Sequence, residues 1–229
     1  MLFRSDAETP VREFTSYLTP NHRFFVRSHF GPPAPELIAE ANWRLRVGGL
    51  VAQPQELTLA DLRRFERVTV TAVVQCSGNG RAFHRPKVPG VQWARGAVGN
   101  AQWTGARLRD VLAAAGVRDQ AKHVQLQGAD RPAVSSVPWF TRSIPLEKAL
   151  HPDTLLAYEM NGRPLPLLHG APLRVITPGW MADSCTKWLT DITLQKDEEI
   201  RELKEAYDRM LEYMEGEKGK VEAELVKFK

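Results

Sequence analysis

A short cysteine loop carries the residues of this sequence that are best suited to chemistry. Cys76 follows residues 68–74, a run of β-branched and apolar residues typical of a buried strand, and residues 77–80 have the composition of a turn. The thiol therefore lies where a strand meets a loop. Two glycines allow the backbone to approach a bulky group, and Arg81 with the basic residues behind it makes the loop cationic.

Such a loop is suited to binding a soft metal and an anion. A cysteine near positive charge ionises more easily, and a thiolate is a preferred ligand of soft transition metals. A buried structural cysteine before a tight turn is the alternative. The loop by itself leaves both interpretations open.

The other potential metal ligands form no familiar pattern. Cys76 and Cys185 are the two cysteines, too few for a disulfide framework, and neither belongs to a C-x-x-C or C-x-x-C-H pattern. The six histidines show no H-E-x-x-H spacing. The sequence therefore predicts no zinc cluster and no haem.

Composition divides the chain into two parts. Residues 1–195 carry 23 basic and 16 acidic side chains, a net charge of +7, whereas residues 196–229 carry 8 and 11, a net charge of −3. All 16 prolines and all 6 tryptophans lie in the first part, which is long enough to bury a substantial core. Its positive charge suits an anionic cofactor or substrate, although ordinary solubility charge explains it equally well. We expect no nucleic-acid partner.

The sequence contains no apolar run of 18 residues, so we expect no membrane span. Residues 1–6 lack an apolar signal region and a twin-arginine pair. The sequence as written is therefore expected to be cytoplasmic, or periplasmic if an export signal has been trimmed.

Short strands and helices must position the cysteine loop. Strands are predicted at residues 43–47, 68–74, 123–128, 155–160 and 173–177, and helices at residues 58–65, 103–115 and 144–150. Asn161-Gly162 is a hairpin signal, and Gly116 is the expected end of the second helix. Because the strands are irregularly connected and lack βαβ repeats, we predict an α+β fold with mixed β-sheets and short helices.

Residues 196–229 are predicted to form a charged, amphipathic C-terminal helical tail. Apolar residues recur from Ile200 to Met214 in steps of three and four, which gives one apolar stripe. A helix packed on its own domain and a helix that pairs with a partner both fit this pattern, since two heptads are too few to decide. Self-association through residues 198–214 is the sharper hypothesis.

Seven stretches of the sequence, in order, resemble the molybdopterin-binding domain of the sulfite oxidase family. They are residues 24–29 (FFVRSH), 76–81 (CSGNGR), 96–105 (GAVGNAQWTG), 143–146 (SIPL), 156–162 (LAYEMNG), 169–174 (HGAPLR) and 187–189 (KWL). Seven motifs in order are far more specific than any one of them. The resemblance implies a sulfite-oxidase-type fold over residues 1–195 and a molybdenum–molybdopterin cofactor.

The resemblance also implies a role for each candidate site residue. Cys76 would ligate molybdenum, with the pterin dithiolene and oxo groups completing the metal site. Arg81 and Arg27 resemble substrate-binding arginines, whose guanidinium forks suit a sulfur oxyanion, and Trp93 corresponds to a tryptophan that walls the substrate pocket. The implied cofactor-binding positions are Phe25, Arg27, His29, Cys76, Ser77, Gly78, Asn79, His169, Arg174, Ser184 and Lys187.

Three positions depart from the family pattern. Phe140 stands where the family usually has a tyrosine, Ser184 lies where an arginine is usual, and Ser28 replaces a usual asparagine. Losing the arginine removes a charge-assisted contact from the expected oxyanion pocket, at a cost of roughly 1.5–3 kcal/mol. Arg142 and Arg85 are the two candidates for restoring that charge.

The resemblance implies an enzyme that oxidises sulfite or a related small sulfur compound by oxo transfer and passes electrons to an external acceptor such as a cytochrome c. A charged tail follows where the family has an immunoglobulin-like dimerisation domain, and no cytochrome b5-like segment is recognisable. Two alternatives stay open. One is a cofactor-binding or scaffold protein on the same fold without sulfite turnover, and the other is a sulfoxide-type reductase.

Overall fold

Two five-stranded sheets contain most of the strands in a computed structural model that describes residues 6–134 and 136–196. The strands are β1 (Asp6–Ala7), β2 (Val26–Arg27), β3 (Leu45–Gly49), β4 (Gln55–Leu57), β5 (Val68–Gln75), β6 (Val98–Arg107), β7 (His123–Gly128), β8 (Thr141–Pro145), β9 (Leu155–Met160), β10 (Arg163–Pro164), β11 (Arg174–Ile176) and β12 (Leu189–Gln195). The helices are α1 (Pro35–Ile38), α2 (Leu59–Leu62), α3 (Leu108–Ala115) and α4 (Leu146–Leu150), and single 3-10 turns occur at Val11–Glu13, Arg81–Phe83, Leu167–His169 and Ala182–Ser184.

The two sheets differ in strand direction. The first sheet has the order β10-β9-β6-β5, with β11 also paired to β9, and all of its pairs are antiparallel. The second sheet has the order β4-β3-β12-β7-β8 and is mixed, because β12 runs parallel to β3 and antiparallel to β7. Mixed sheets with few, short helices confirm the α+β prediction.

The β5–β6 ladder positions the cysteine loop. Its register runs through eight pairs, from Val68 opposite Gly105 to Gln75 opposite Val98. Ala72 and Val74 are buried on the inner face of β5, as the apolar, β-branched composition of this segment predicts. The chain therefore leaves the sheet at Cys76, immediately beside the residues that begin β6.

The helix predicted over residues 103–115 is wrong in its first five residues, which complete β6. Trp103 is fully buried and lies opposite Met160 of β9, so strand pairing and burial override local helical preference there. The helix begins at Leu108 and ends at Gly116, whose φ of 69° is the left-handed conformation expected of a helix stop. Four apolar residues of this helix are buried at helical spacing: Leu108, Val111, Leu112 and Ala115.

The structure also tests the two short helices and the hairpin predicted from the sequence. The helix predicted at residues 58–65 is shorter: Thr58 caps α2 through a capping box with Asp61, and the helix ends at Leu62. The Asn161-Gly162 hairpin between β9 and β10 is confirmed, with φ angles of 53° and 71°. The helix predicted from residue 144 begins only at Leu146, because the preceding residues pair with β7 as β8.

Two hydrophobic clusters fill the interior. The larger surrounds α3, β3 and β12, whereas the smaller contains Phe24, Trp103 and Cys185 and has Cys76 packed at its edge. Burying each large apolar side chain contributes about 1.5–3 kcal/mol relative to leaving it exposed. The smaller cluster supports the cysteine loop from beneath.

Within the described ranges, no helix is long and apolar enough to cross a membrane: the longest, α3, has 8 residues, against the about 20 that a span requires. The predicted tail helix and its self-association segment, residues 198–214, lie outside the described residues.

Candidate active site

A cavity of about 230 Å³ opens beside the cysteine loop. The loop after β5, the segment that contains β2, the start of β8 and the segment from 168 to 188 all contribute to its wall. Its described lining residues are Phe24, Phe25, Arg27, Ser28, His29, Val74, Cys76, Ser77, Arg81, Trp93, Asp130, Phe140, Arg142, Leu168, His169, Arg174, Ala182, Asp183, Cys185, Thr186, Lys187 and Trp188. Five arginine or lysine side chains and two aspartates are among them, so the cavity is strongly cationic.

The Cys76 thiol is free and half-buried at the cavity wall. Two backbone hydrogen bonds fix its position: the Cys76 N–H donates to the carbonyl of Ala97 at 2.9 Å, and the Asn79 N–H donates to the carbonyl of Cys76 at 2.9 Å. The side chain of Asn79 closes the loop, because its Oδ1 accepts the Ala97 N–H at 3.1 Å. The loop is therefore clamped to the start of β6, and the thiol is held in place before any ligand binds.

Arg81 lies between two glycines. A Cβ atom built on Gly78 would lie 2.8 Å from the Arg81 Cζ, and one built on Gly90 would also collide with the guanidinium group. The Arg81 Nη1 donates to the carbonyl of Val91 at 3.3 Å. Gly78 and Gly90 thus make room for the cationic side chain of Arg81 at the cavity wall.

Arg27 reaches the cavity from β2. Its Nη1 lies 3.3 Å from Oδ1 of Asp6 and also donates to the carbonyl of Ser28. The Arg27 side chain is 34% exposed, so water screens this ion pair. Arg27, Arg81 and Arg142 are all half-buried and line the cavity, and we call them the outer cluster.

A second group of basic residues, the inner cluster, consists of His169, Arg174 and Lys187. Arg174 is only 4% exposed and donates to the carbonyls of His169 at 3.0 Å and Cys185 at 3.1 Å. The Lys187 ammonium donates to Ser28 Oγ at 3.0 Å and to the carbonyl of Leu168 at 2.9 Å. Among the described residues, no carboxylate forms an ion pair with Arg174 or Lys187.

The inner cluster is poorly solvated. Burial and, secondarily, the Arg174 charge lower the pKa of Lys187 to about 7, and burial lowers the pKa of Arg174 from its usual value. Burial also lowers the pKa of His169 to about 4, although its hydrogen bond to Asn21 acts in the opposite direction. Asp130 and Asp6 act on Lys187 electrostatically but form no ion pair with it, so an anion bound here would supply the close partner that the enclosed Arg174 and Lys187 side chains lack among the described residues.

The tautomer of His169 follows from a hydrogen bond of its imidazole ring. The Nε2 lies 2.8 Å from the carbonyl of Asn21, and a carbonyl can only accept, so Nε2 carries the proton. With a pKa of about 4, the imidazole is neutral at pH 7. His169 therefore adds no third positive charge to the inner cluster.

The cavity also gathers polar atoms that lack a partner. Four buried side-chain atoms among the described residues make no hydrogen bond, and three of them belong to cavity residues: Trp93 Nε1, Arg174 Nε and Thr186 Oγ1. An unsatisfied buried donor costs roughly 1–3 kcal/mol, so hydrogen bonds from a polar ligand or water molecule in the cavity would be favourable at these atoms.

A metal at Cys76 would need ligands from outside the chain. Within residues 6–134 and 136–196, no three His, Cys, Asp or Glu side chains lie together as a protein-only metal site requires. The Cys76 thiol, the cations without an ion-pair partner and the unpartnered polar atoms together fit a metal carried by an anionic, hydrogen-bonding organic cofactor.

The cavity brings together most of the residues predicted from sequence. Ten of the thirteen line it: Phe25, Arg27, His29, Cys76, Ser77, Arg81, Trp93, His169, Arg174 and Lys187. Gly78, Asn79 and Ser184 do not. Gly78 and Asn79 shape the loop, whereas Ser184 is buried with its N–H donating to Oδ1 of its neighbour Asp183 at 3.0 Å.

Phe140 and Arg142 are the most informative of the lining residues that lie outside the seven family motifs. The Phe140 ring stacks on His29 with centroids 4.8 Å apart, and the Arg142 Cζ lies 3.9 Å from the Phe140 ring centroid. Of the two candidates for the missing charge, Arg142 lies in the cavity. Arg85 does not line it and instead donates to the carbonyls of Ala82 and His84 on the surface.

Comparison with known proteins agrees with this geometry. The family model described as "Oxidoreductase molybdopterin binding domain" matches residues 30–202. Mitochondrial sulfite oxidase of Rattus norvegicus is 42% identical over 201 residues, which cover 84% of this chain and 36% of that protein. The corresponding protein of Drosophila melanogaster is 42% identical over 199 residues, covering 84% of this chain and 34% of that protein.

A solved structure gives the same result. The sulfane dehydrogenase SoxCD from Paracoccus pantotrophus superimposes with a TM-score of 0.72 at 32% identity, covering 83% of this chain and 46% of that chain. The chain spans about a third of the length of the curated relatives named above. The family-model match includes the cysteine loop, the inner cluster, and Arg81 and Arg142 of the outer cluster, and the chain therefore belongs to the sulfite oxidase family and contains its molybdopterin-binding domain.

Proposed function

We propose that this protein is a molybdenum-dependent oxidoreductase that oxidises sulfite or a related small sulfur oxyanion. The observation that carries the proposal is the free, half-buried thiol of Cys76 at the wall of a cavity with five cationic and two acidic side chains. A soft metal needs the thiolate, and a sulfur oxyanion needs the cations. A structural cysteine would need neither.

The inner cluster is the part of the cavity that fits the cofactor's anionic group. Arg174 and Lys187 would neutralise a phosphate, which offers the ion-pair partner that both side chains lack among the described residues. Trp93 Nε1 and Thr186 Oγ1 would donate to other polar atoms of the pterin. Cys76 would ligate molybdenum, and when bound the cofactor supplies a metal that accepts two electrons and exchanges an oxo group.

The outer cluster is the part that fits the substrate. The guanidinium groups of Arg27 and Arg81 present planar pairs of N–H donors, which match two oxygen atoms of a sulfur oxyanion. They would hold the substrate so that its sulfur faces the Cys76 side of the cavity. The overall reaction converts sulfite and water into sulfate, two protons and two electrons.

The two electrons would leave for an external acceptor such as a cytochrome c. Each one-electron acceptor would take one of them, so two acceptor molecules are consumed per substrate. The absence of haem, the compartment and the association through residues 198–214 stay predictions from the sequence.

The test compares the two cavity cysteines. Cys76→Ser should lose all sulfite-dependent reduction of cytochrome c while the pterin stays bound, because the inner cluster is untouched. Cys185→Ser should retain the metal, because a hydroxyl can replace the thiol in its hydrogen bond with Thr177 Oγ1 (3.3 Å). Metal analysis and pterin fluorescence on both purified variants provide the readout. Wild-type protein that carries neither molybdenum nor pterin after expression in a cofactor-producing host contradicts the proposal.

A sulfane-sulfur compound is the second candidate substrate. The structural likeness to a sulfane dehydrogenase favours it. Steady-state rates with sulfite and thiosulfate, measured with the same acceptor, separate the two candidates. Faster turnover of a sulfoxide with a reduced dye donor would instead identify a reductase.

A further inference from the structure

We propose that Arg142 is a specificity-determining residue of this cavity and that its guanidinium group binds the oxygen atoms of the anionic substrate. The inference rests on the proposed function, because it names a residue that selects the substrate of the same site. Arg142 lies outside the motifs that carry the family resemblance. Its role therefore depends on what surrounds it in this chain.

The first observation is the position of Arg142. It is the second residue of β8 and lies opposite Leu126 of β7, so strand pairing fixes its backbone. β8 packs against the 3-10 turn Ala182–Ser184, and the cavity wall that follows this turn contributes Cys185 and Thr186 but no cation before Lys187. Arg142 thus places a positive charge where the adjacent wall has only an aspartate, a thiol and a hydroxyl.

The second observation is that the guanidinium group is held but not neutralised. Its Cζ lies 3.9 Å from the centroid of Phe140, and one N–H donates to the carbonyl of Thr141 at 2.8 Å. Among the described residues, no carboxylate forms an ion pair with it. Most of its five N–H groups remain available to a ligand.

The third observation is that Phe140 connects Arg142 to another cavity residue. The Phe140 ring stacks on His29 at 4.8 Å and an interplanar angle of 23°, so His29, Phe140 and Arg142 form one continuous wall. A guanidinium lying on an aromatic ring loses less freedom on binding than a solvated one. Phe140 is therefore a positioning residue for Arg142.

Together these observations point to an oxyanion as the ligand. Arg27 is partly neutralised by Asp6, whereas Arg81 and Arg142 have no acidic partner in the described residues. A tetrahedral or pyramidal sulfur oxyanion can accept hydrogen bonds from two guanidinium groups at once. A neutral substrate such as a sulfoxide would accept these hydrogen bonds less strongly. Arg142 therefore favours charged sulfur compounds over neutral ones.

The experiment uses three variants of the holoenzyme: Arg142→Met, Arg142→Lys and the control Arg85→Met. Arg142→Met should raise the KM for sulfite and the inhibition constant for sulfate roughly tenfold to hundredfold, with kcat within about twofold, because a charge-assisted contact is lost. Arg142→Lys should restore little of the affinity for sulfite and sulfate, since a lysine lacks the planar set of N–H donors of a guanidinium group. Arg85→Met should behave as the wild type, because Arg85 lies outside the cavity.

A second readout does not depend on turnover. Arg142 is one of the charges that lower the pKa of His29, after burial and Arg27. In NMR titrations, with His29 assigned through His29→Gln, Arg142→Met should raise this pKa. Sulfate should raise the pKa of His29 in the wild type and have a much smaller effect in Arg142→Met.

The two readouts separate this inference from the proposed function. If sulfite is not turned over at all, the proposed function fails, and the sulfate effect on His29 still shows whether Arg142 binds an oxyanion. If sulfite is turned over and Arg142→Met matches Arg85→Met in both KM and sulfate inhibition, the role of Arg142 is overturned and the proposed function stands.

Discussion

The inner and outer clusters have similar side chains but very different surroundings. Arg174 of the inner cluster is 4% exposed and its cationic neighbour Lys187 has a pKa of about 7, whereas the Arg27 side chain of the outer cluster is 34% exposed and pairs with Asp6. Charges removed from water without a partner are costly, and charges near the surface are not. The inner cluster is therefore suited to a ligand that remains bound, and the outer cluster to a ligand that binds and dissociates.

This difference also separates two kinds of specificity. The inner cluster combines hydrogen bonds to fixed carbonyls with unpartnered donors, which selects a ligand by shape as well as charge. The outer cluster offers guanidinium groups that water can reach, so it selects mainly by charge and by the spacing of oxygen atoms. One cavity can thus retain a cofactor while releasing a product.

The prediction with the largest expected effect is loss of the cofactor on substitution of Arg174. Arg174→Met should reduce the pterin and molybdenum content of purified protein by at least about tenfold, because a buried charge-assisted contact is worth roughly 1.5–3 kcal/mol. Pterin fluorescence and metal analysis measure this loss, with circular dichroism as the check on folding. Arg81→Met of the outer cluster is the matched control and should keep its cofactor. Equal losses in both variants would erase the distinction between the clusters.

The next prediction concerns pH. The folded-state pKa of Lys187 is about 7, below its unfolded value near 10.5, so between these values the unfolded chain binds one more proton. The free energy of unfolding of cofactor-free protein should therefore rise from pH 7 towards pH 10, by at most about 1.4 kcal/mol per pH unit from this group.

Lys187→Met isolates this contribution. Urea denaturation at pH 6, 7, 8 and 9 should show a shallower rise for the variant than for the wild type above pH 7, since all other titrating groups are shared. Arg142→Met should leave the slope unchanged, because an arginine stays protonated throughout this range. Identical slopes for wild type and Lys187→Met would mean that the inner cluster is better solvated than the structure indicates.

The smallest expected effect is on the loop that presents Cys76 and Arg81. Asn79→Ala removes the hydrogen bond from the Ala97 N–H to Asn79 Oδ1, and it should lower the free energy of unfolding by about 1 kcal/mol. Cofactor content should stay near the wild-type level, because the inner cluster is untouched. Thermal denaturation and metal analysis of the same sample test both statements. Loss of the cofactor would show that the loop, rather than the inner cluster, retains it.

Local sequence patterns were sufficient to predict the position of the cysteine loop at the end of a strand. The β-branched run of β5 and the turn residues after it place Cys76 at a strand end, and the seven family motifs indicate most of the cavity wall. The positive charge of the first part of the chain was also visible in its composition, although its division into two clusters was not. That division depends on burial, which brings Arg174 and Lys187 together from different elements.

Other features could not be predicted because tertiary contacts create them. The start of α3 was placed five residues early, since Trp103 and its neighbours have apolar spacing that fits a helix until β9 pairs with them. Arg142 was only one of two candidates for a missing charge. The pairing of β8 with β7, which decides between Arg142 and Arg85, joins segments with no local signal for each other.

The origin of the cavity wall has a consequence for how the mature protein is made. The wall combines residues from position 24 to position 188, and Cys76 and Lys187 reach it from separate parts of the chain. Cys76, the proposed metal ligand, and Lys187, one of the proposed phosphate-binding residues, are 111 positions apart in the sequence, so most of the domain must be present before both can line the cavity. Cofactor insertion is therefore expected to follow completion of the fold, and the stability it adds would protect an already assembled molecule rather than guide its assembly.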